Sequence, residues 1–475
     1  MYFQHIYEKG LAQASYLIGC QATGEAVVID PRRDIDVYLE EAEKNNLKIT
    51  HITETHIHAD FLSGARELAA ATGARVYLSD EGGEDWQYGF EHQGVRDGDS
   101  FMVGNLRMDV MHTPGHTPEH ISFVLTDTPA SEQPVMIFTG DFVFVGDVGR
   151  PDLLEKAAGI KGTREKGARD MFASLKKFKA LPDHVQVWPG HGAGSACGKA
   201  LGAVPSSTVG YEKAANWALQ IEDEIAFVSE LLAGQPEPPR YFAMMKKLNR
   251  IGPAVLGGLP HPARLTLKQF SEAVADGVRI IDTRDKLSFA GGHFPESINI
   301  QDNTAFTTWA GWVLDYETPF MLVATDARIE ELTKALLRIG LDNLVGYVTE
   351  MDRIGDAGHA MRVMDQITVE ELRMNRDDYH VLDIRGYSEH EIARIPESQN
   401  IHAGYLRERI DDIPTEKPVV VHCVSGDRSS IATSILLSLG RLDVRNLTCG
   451  FNGWKQAQYP IDHGATEERE GALAA

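Results

Sequence analysis

The sequence predicts an α/β protein built from several domains. Apolar runs that suit strands alternate with amphipathic runs that suit helices through roughly the first 80 residues. A similar alternation occurs twice more after about residue 264, which is typical of α/β units with a parallel sheet. The length of 475 residues fits about three domains. We therefore expect domains at 1–255, 264–355 and 365–465, followed by a flexible tail at 466–475.

A cluster of Pro and Gly marks the end of the first domain. It runs from Gly252-Pro253 to Pro260-His261-Pro262 without periodicity, as expected of a linker. Within the first domain, Ala14 to Cys20 and Glu25 to Asp30 predict a hairpin. The stretch from Trp217 to Leu232 predicts one amphipathic helix.

Composition argues against several classes of partner. The 46 basic and 69 acidic residues give a net charge of -23, which disfavours nucleic acid and anionic membrane surfaces. No apolar stretch approaches the ~18 residues that a membrane span requires, and the N-terminus lacks the pattern of a secretory signal. Four cysteines in so long a chain do not form a disulfide framework. The sequence therefore predicts a cytoplasmic protein.

A dense set of metal-ligand residues follows an early strand. Thr55-His56-Ile57-His58-Ala59-Asp60-Phe61 comes directly after the apolar run Ile49 to Ile52. Three later segments each place a ligand-type residue beside Gly at the edge of an apolar run: His112-Thr113-Pro114-Gly115-His116, Phe138-Thr139-Gly140-Asp141 and Trp188-Pro189-Gly190-His191. Neutral imidazole and carboxylate are the usual ligands of zinc and non-haem iron. Surface histidines would explain one such motif, but not four in series.

These motifs resemble those of the metallo-β-lactamase fold family. HxHxD, PGHT, TGD and PGH occur in the family's order, and the resemblance covers about residues 1 to 250. It implies an αββα sandwich with a metal site at one edge of the paired sheets. The family's binuclear members read HxHxDH, and the last His binds the second metal. Here that position is Phe61, so a second metal would keep only Asp60, His191 and a share of Asp141.

The mononuclear iron members of the superfamily are the persulfide dioxygenases. Their ligands are the first His of HxH, the His of PGHT and the Asp of TGD. Carried over to this chain, these ligands are His56, His116 and Asp141. Two histidines and one carboxylate form the facial triad that holds Fe(II) and leaves positions open for substrate and O2. The resemblance then makes His58, Asp60 and His191 groups that orient the ligands by hydrogen bonds, while zinc with His58 as a further ligand is the alternative.

Arg150 lies in a glycine-rich segment shortly after Asp141. The persulfide dioxygenases have a similar Gly-Arg-x-Asp that binds the acidic end of the thiol, and the guanidinium fork matches a carboxylate. A structural salt bridge from Arg150 to Asp152 or to another acid is an equal alternative. In the loop after His191, Cys197 is a candidate reactive thiol, although no base lies near it in the sequence.

An internal repeat fills the second half of the chain. Ile281-Asp282-Thr283-Arg284 matches Leu382-Asp383-Ile384-Arg385, and Pro295 to Ile300 matches Pro396 to Ile401. The offset is 101 residues both times, which is too regular for chance. We expect two copies of one α/β unit.

The second copy carries Cys423 in a turn between a strand and a helix, with Arg428 shortly after it. Backbone N–H groups and a helix N-terminus both lower the pKa of a thiol in such a turn, and Arg428 can hold an oxyanion by two hydrogen bonds. The other cradle residues are Val424, Ser425, Gly426, Asp427 and Ser429. This unit, with its upstream Asp-x-Arg, resembles the rhodanese sulfurtransferases. Cysteine phosphatases place five residues between Cys and Arg, whereas this loop places four, which favours sulfur over phosphate.

The first copy lacks the nucleophile. Its corresponding loop reads Ala324-Thr325-Asp326-Ala327-Arg328, and no cysteine occurs between Cys197 and Cys423. We interpret this copy as a structural, rhodanese-like domain. An inactive domain kept in the chain suits a role in assembly, so a homo-oligomer is one expectation.

Together the resemblances imply a persulfide dioxygenase–sulfurtransferase fusion of bacterial sulfide detoxification. One Fe(II) per chain would serve the oxidation of a low-molecular-weight thiol persulfide by O2 to sulfite, and Cys423 would exchange sulfane sulfur between persulfide and thiosulfate. One alternative is a zinc-dependent thioester or lactone hydrolase fused to a sulfurtransferase. Another is a sulfur carrier or persulfide sensor. The sequence leaves open the thiol, the direction of transfer and the oligomeric state.

Overall fold

The computed structural model describes residues 1–153, 155, 162–199, 201–235, 237–349, 354–355 and 358–464. The predicted tail at 466–475 lies outside these residues. The chain divides into two compact units, Met1–Pro260 with Lys334–Gly340, and His261–Thr333 with Leu341–Ala475. Both copies of the repeat therefore belong to the second unit, and the boundaries of three separate domains stay a prediction.

The first unit contains two six-stranded sheets among its described residues, in the orders β1-β2-β3-β4-β5-β6 and β12-β11-β10-β9-β8-β7. The strands are β1 (Tyr2–Glu8), β2 (Gln13–Cys20), β3 (Glu25–Ile29), β4 (Lys48–Thr53), β5 (Arg75–Ser79), β6 (Gln93–Val95), β7 (Ser100–Val103), β8 (Leu106–His112), β9 (Ile121–Asp127), β10 (Met136–Gly140), β11 (Gln186–Pro189) and β12 (Ser207–Thr208). The described helices are α1 (Asp36–Lys44), α2 (Ala65–Thr72), α3 (Thr163–Lys179), α4 (Val209–Ala215), α5 (Trp217–Gln220), α6 (Glu224–Leu232) and α7 (Tyr241–Ile251).

The two sheets share one apolar core, and helices cover their outer faces. Tyr16 and Phe123 belong to the core between the sheets. Their chain neighbours point the opposite way, because side chains alternate along a strand. Leu17 packs with α1 and α2, and Val124 packs with α3, α4 and α6. The strands are thus buried on both faces, and the predicted αββα sandwich is confirmed.

The predicted hairpin is confirmed, whereas the predicted single helix at 217–232 is wrong. Strands β2 and β3 pair antiparallel, with Cys20 opposite Glu25. The helical stretch is divided into α5 and α6, and the backbone is extended at Ile221 and Asp223. The Asp223 side chain accepts a hydrogen bond from the Ala226 N–H and so starts a new helix.

The second unit contains the two copies of the repeat. Its strands are β13 (Arg279–Asp282), β14 (Ile298–Asn299), β15 (Phe320–Val323), β16 (Leu344–Val348), β17 (Gln366–Ile367), β18 (His380–Asp383), β19 (Gln399–Asn400), β20 (Val419–His422) and β21 (Val444–Leu447). Its described helices are α8 (Leu267–Ala275), α9 (Lys286–Gly291), α10 (Phe306–Val313), α11 (Ile329–Leu337, whose last residues belong to the first unit), α12 (Val369–Met374), α13 (Tyr387–Ile392), α14 (Asp427–Ser438) and α15 (Gly450–Gln456).

The copies have the same topology. The sheet orders are β14-β13-β15-β16 and β17-β21-β20-β18-β19, which correspond strand for strand once β17 is set aside. The described pairings in both sheets are parallel. Asn299 donates to the carbonyls of Asp282 and Arg284, and Asn400 repeats this contact in the second copy. The internal repeat and its parallel sheets are thus confirmed. Among the described residues, no helix is both long and apolar enough to cross a membrane.

Candidate metal centre and sulfur-transfer loop

The sequence-predicted metal ligands meet at the ends of strands from both sheets of the first unit. His56 follows β4, His116 follows β8, and Asp141 follows β10. One ligand atom from each lies within 4.8 Å of the others. The Nε2 atoms of His116 and His56 lie 3.5 and 3.9 Å from Asp141 Oδ2. The structure therefore brings these three side chains together, as the motifs predict.

Hydrogen bonds on the far side of each imidazole set its tautomer. His116 Nδ1 donates to the Arg150 carbonyl at 2.9 Å. Thr55 Oγ1 donates to Asp30 and so accepts from His56 Nδ1 at 3.0 Å. Each Nε2 is therefore left with a free lone pair directed toward Asp141.

These atoms fit a metal ion. Both Nε2 atoms and both carboxylate oxygens of Asp141 are buried without a hydrogen-bond partner, an arrangement that costs free energy unless a cation balances it. Burial lowers the pKa of His56 and His116 well below its usual value, so both remain neutral, as ligands must. Burial also raises the pKa of Asp141 to about 6. The fold and this His/Asp set indicate a metal site.

His58 is turned toward two carboxylates. Its Nε2 lies 3.1 Å from Asp30 and 3.0 Å from Glu54. Burial alone would lower the pKa of His58, but the two carboxylates outweigh it and raise the pKa well above the usual value. Asp30 also accepts from the Thr55 N–H and hydroxyl. His58 thus reaches the His56 ligand through Asp30 and Thr55, which suits the predicted orienting role.

A second buried group lies on the other side of Asp141. His191 Nε2 is 3.2 Å from Asp60 Oδ2 and 3.4 Å from Asp141 Oδ1, while its Nδ1 donates to the Ala12 carbonyl. Cys197 completes a cluster with Asp60 and His191 whose ligand atoms lie within 4.8 Å of one another. The fold places Cys197 beside His191. Burial alone would lower the pKa of His191, but Asp141 and Asp60 outweigh it and raise the pKa well above the usual value, so His191 is not a free base for the thiol. Burial also raises the pKa of Cys197 to about 12, which favours the protonated thiol.

Phe61 and Asn249 shape the loop that carries the first ligands. The Phe61 side chain is buried, and its ring centroid lies 4.3 Å from that of His58. Asn249, on α7, donates to the carbonyls of His58 and Phe61 and accepts from the Ser63 N–H. No local motif in the sequence indicates this contact, because Asn249 lies almost 190 residues further along the chain.

We predict that Asn249→Ala destabilises the first unit by about 3 kcal/mol, because three buried backbone groups lose their partner. Urea unfolding should show the lower midpoint, and metal content per chain should fall. The exposed Asn105→Ala is the matched control and should change neither. An unchanged urea midpoint for Asn249→Ala would contradict the claim that Asn249 stabilises the loop of the first metal ligands.

Arg150 is fully buried and paired. Its Nε and Nη2 donate to the two carboxylate oxygens of Asp152 at 2.7 and 2.8 Å, and Nη1 donates to the Ala196 carbonyl. This geometry is that of the structural salt bridge, and the Arg150 carbonyl in turn orients His116. A contact between Arg150 and substrate stays a prediction.

A cavity of about 670 Å³ reaches the metal loops at Ile57 and Gly115. Its charged lining residues are Lys166, Lys246, Lys247, Arg250, Glu84, Asp85 and Asp170. Lys246 Nζ is buried without a hydrogen-bond partner and lies 5.2 Å from the centre of the Trp86 ring. Burial lowers the pKa of Lys246 to about 8. The cavity is therefore lined by charged side chains of both signs, four basic and three acidic.

The second unit holds Cys423 as the sequence predicts, between β20 and α14. The side chain is buried, and its Sγ accepts a hydrogen bond from the Gly426 N–H at 3.2 Å. Gly426 has a φ of 96°, which glycine adopts without strain. The Arg428 guanidinium makes two hydrogen bonds, of 2.7 and 2.8 Å, to Glu389. Arg428 thus lies in the first turn of α14, where it is engaged with a carboxylate.

Two N–H groups at the start of α15 hold the Cys423 loop from outside. Phe451 N–H donates to the Cys423 carbonyl at 2.7 Å, and Asn452 N–H donates to the Val424 carbonyl at 3.0 Å. Because a trans peptide points its N–H opposite to its carbonyl, these contacts direct the next N–H groups toward the inside of the loop. This is the arrangement of an anion cradle.

The serines at positions 425 and 429 have different surroundings. Ser425 Oγ donates to Asp427 at 2.8 Å. Ser429 Oγ is buried without a hydrogen-bond partner. In the first copy, Arg328 pairs with Asp302 instead, and the corresponding loop offers no thiol.

Family models match two parts of the chain. Residues 9–191 match the metallo-beta-lactamase superfamily, and residues 368–457 match the rhodanese-like domain. A solved metallo-beta-lactamase from Staphylococcus aureus subsp. aureus COL is 44% identical, with a TM-score of 0.69, and the match covers 74% of this chain and 99% of that one.

Curated relatives of the first unit have different activities. The hydroxyacylglutathione hydrolase of Rhodospirillum rubrum is 36% identical over 176 residues, which is 37% of this chain and 60% of the hydrolase. The mitochondrial persulfide dioxygenase of Bos taurus is 28% identical over 197 residues, which is 40% of this chain and 67% of that protein. The chain thus spans 60% of the length of the hydrolase. From the matched domain, the shared fold and the identity to the staphylococcal structure, we conclude that this chain belongs to the metallo-beta-lactamase superfamily and carries a C-terminal rhodanese-like domain.

Proposed function

We propose that the chain oxidises the terminal sulfur of a low-molecular-weight thiol persulfide with O2 and transfers sulfane sulfur through Cys423. The observation that supports this best is the bare set of two imidazole nitrogens and one carboxylate in a chain that also carries a cysteine cradle. The electrons that one O2 takes up match those that the terminal sulfur loses on becoming sulfite. One water supplies the third oxygen, and the free thiol leaves.

His56, His116 and Asp141 would hold Fe(II) in this proposal, and the ion would supply the one-electron redox chemistry that O2 activation needs. The chain's own residues prepare the site. Thr55 and the Arg150 carbonyl fix the two imidazoles. The cations of the adjoining cavity would bind the acidic part of the thiol and so position its persulfide.

At the second centre, the Cys423 thiolate attacks the outer sulfur of thiosulfate or of a persulfide. The new S–S bond forms on Cys423 as the old one breaks, and sulfite or a thiolate leaves with the electron pair. A second thiolate or sulfite then attacks the cysteine persulfide and regenerates Cys423. The Gly426 N–H stabilises the thiolate charge on Sγ before the attack and again when Cys423 is regenerated.

A zinc-dependent thioester hydrolase is the second candidate function. It is favoured by the cluster of Asp60, His191 and Cys197 beside Asp141, which could hold a second metal ion. The identity of 36% to a hydroxyacylglutathione hydrolase points the same way. Phe61 argues against it, because the family's second metal uses a histidine at that position.

Metal analysis combined with oxygen consumption distinguishes the two functions. A dioxygenase should contain about one iron per chain. With glutathione persulfide or coenzyme A persulfide as the substrate, it should release one sulfite for each O2 consumed. A protein with zinc that takes up no O2 but hydrolyses a glutathione thioester would contradict the proposal. A carrier or sensor would become persulfidated at Cys423 without turnover.

We predict that Lys246→Met raises KM for an acidic thiol persulfide about tenfold and leaves kcat nearly unchanged, because it removes binding rather than chemistry. Glutathione persulfide should show the effect, whereas the persulfide of a small neutral thiol should not. The exposed Lys44→Met is the matched control. An equal KM change for both substrates would show that Lys246 does not recognise the acidic group.

A further inference from the structure

The Cys-less copy packs directly on the helix that follows the Cys423 loop. Asn299, on its edge strand β14, donates through its backbone N–H to Ser434 Oγ at 3.0 Å. Its side-chain oxygen accepts from Ser430 Oγ at 2.8 Å. All three side chains are buried. Since both serines lie on α14, this contact fixes the first copy against the helix that begins at the cradle.

Lys286 extends from the same copy to the loop itself. Its Nζ donates to the Ser425 carbonyl at 2.9 Å and to Asp427 Oδ1 at 2.8 Å. Gln301, also from the Cys-less copy, accepts from the Lys286 backbone N–H at 3.0 Å. The lysine is therefore held at both its backbone and its ammonium group.

The Ser425 carbonyl belongs to the same peptide group as the Gly426 N–H, which donates to Cys423 Sγ. A planar trans peptide has its carbonyl and N–H on opposite sides, so a cation on the carbonyl holds the N–H toward the sulfur. It also polarises the peptide and strengthens that donor, since hydrogen bonds in a chain reinforce one another.

Three successive carbonyls of the loop each accept a hydrogen bond, and Lys286 donates the third. The active copy holds the Cys423 and Val424 carbonyls through α15, and the Cys-less copy holds the third, Ser425. Lys286 also balances the charge of Asp427, which would otherwise disfavour a nearby thiolate. Among the described residues, further charged or titratable side chains near the cradle include Arg428, Glu389, Asp383, Arg385, His390, His402 and His422.

We propose that Lys286 is a positioning residue for Cys423, through which the Cys-less copy keeps the cradle's Gly426 N–H on the sulfur and favours the thiolate. The proposal rests on the sulfur-transfer function proposed above and gives the Cys-less copy a part in it. Lys286 acts through the Ser425–Gly426 peptide and through Asp427.

The test is the pH dependence of Cys423 alkylation by iodoacetamide in the full chain. Alkylation is followed on the Cys423 peptide by mass spectrometry in a Cys449→Ser background, because Cys449 is exposed. Lys286→Met should slow alkylation at neutral pH by up to about tenfold, and raising the pH should reduce this difference from the wild type. Lys286→Arg should retain most of the wild-type profile, because it keeps the cation. Lys268→Met, at a lysine of the same copy that is 85% exposed, should match the wild type.

The proposal is overturned if Lys286→Met alkylates with the wild-type profile, or if Lys286→Arg is as impaired as Lys286→Met. Alkylation needs no sulfur donor, so this result is independent of whether the chain transfers sulfur. A wild type that alkylates as expected but moves no sulfur from thiosulfate or persulfide would contradict the proposed function alone.

Discussion

Oxygen uptake should fall by more than about a hundredfold when His116 is replaced by Ala. The loss of a metal ligand should reduce activity more than the loss of a residue that only orients a ligand by a hydrogen bond. The remaining Nε2 and carboxylate of the triad cannot hold the ion in the same geometry. Iron content and O2 consumption with a persulfide should fall together. Sulfur transfer from thiosulfate should persist, since Cys423 lies in the other unit.

His184→Ala is the matched control for that experiment. This exposed histidine contacts only the Pro134 carbonyl among the interactions described for it, and its loss should leave both activities near the wild-type level. Full iron content and O2 uptake in His116→Ala would overturn the assignment of the triad.

Cys423→Ser should abolish sulfur transfer while oxygen uptake persists. A hydroxyl is a far weaker nucleophile than a thiolate and cannot carry a sulfane sulfur, so the transfer rate should fall by more than about a thousandfold. Cyanide-trapped transfer from thiosulfate and O2 consumption, measured on the same preparation, give the two readings.

Cys449→Ser controls for the loss of a thiol in the same unit, because Cys449 is exposed and lies outside the cradle. It should retain both activities. If Cys423→Ser loses oxygen uptake to the same extent as sulfur transfer, the two centres are not independent.

The fold was largely predictable because its signals are local. The apolar runs Ala14 to Cys20 and Glu25 to Asp30, and the repeat with its offset of 101 residues, are properties of the sequence itself. The same holds for His56, His116 and Asp141, whose motifs end strands that converge at one edge. The helix at 217–232 was mispredicted because apolar periodicity continues through Ile221, where the Asp223 cap restarts the helix.

Features that depend on distant contacts could not be predicted. Asn249 and Lys286 carry no motif, and each acts on a loop far away in the chain. Arg150 left two alternatives open, and only packing shows its guanidinium buried against Asp152. Cys197 likewise gains its neighbour His191 from the fold of its loop. Candidate functional side chains can be predicted from the sequence, but their contacts depend on tertiary packing.

The two sheets of the first unit each contribute ligands, and this has a mechanical consequence. His56 follows a strand of one sheet, whereas His116 and Asp141 follow strands of the other. An ion bound by all three is a cross-link between the layers of the sandwich, formed by coordination rather than by a disulfide. Its binding free energy adds to the resistance of the layers to separation. A chelator should therefore lower the melting temperature of the first unit selectively, and the sandwich should be most resistant to heat when its metal is in place.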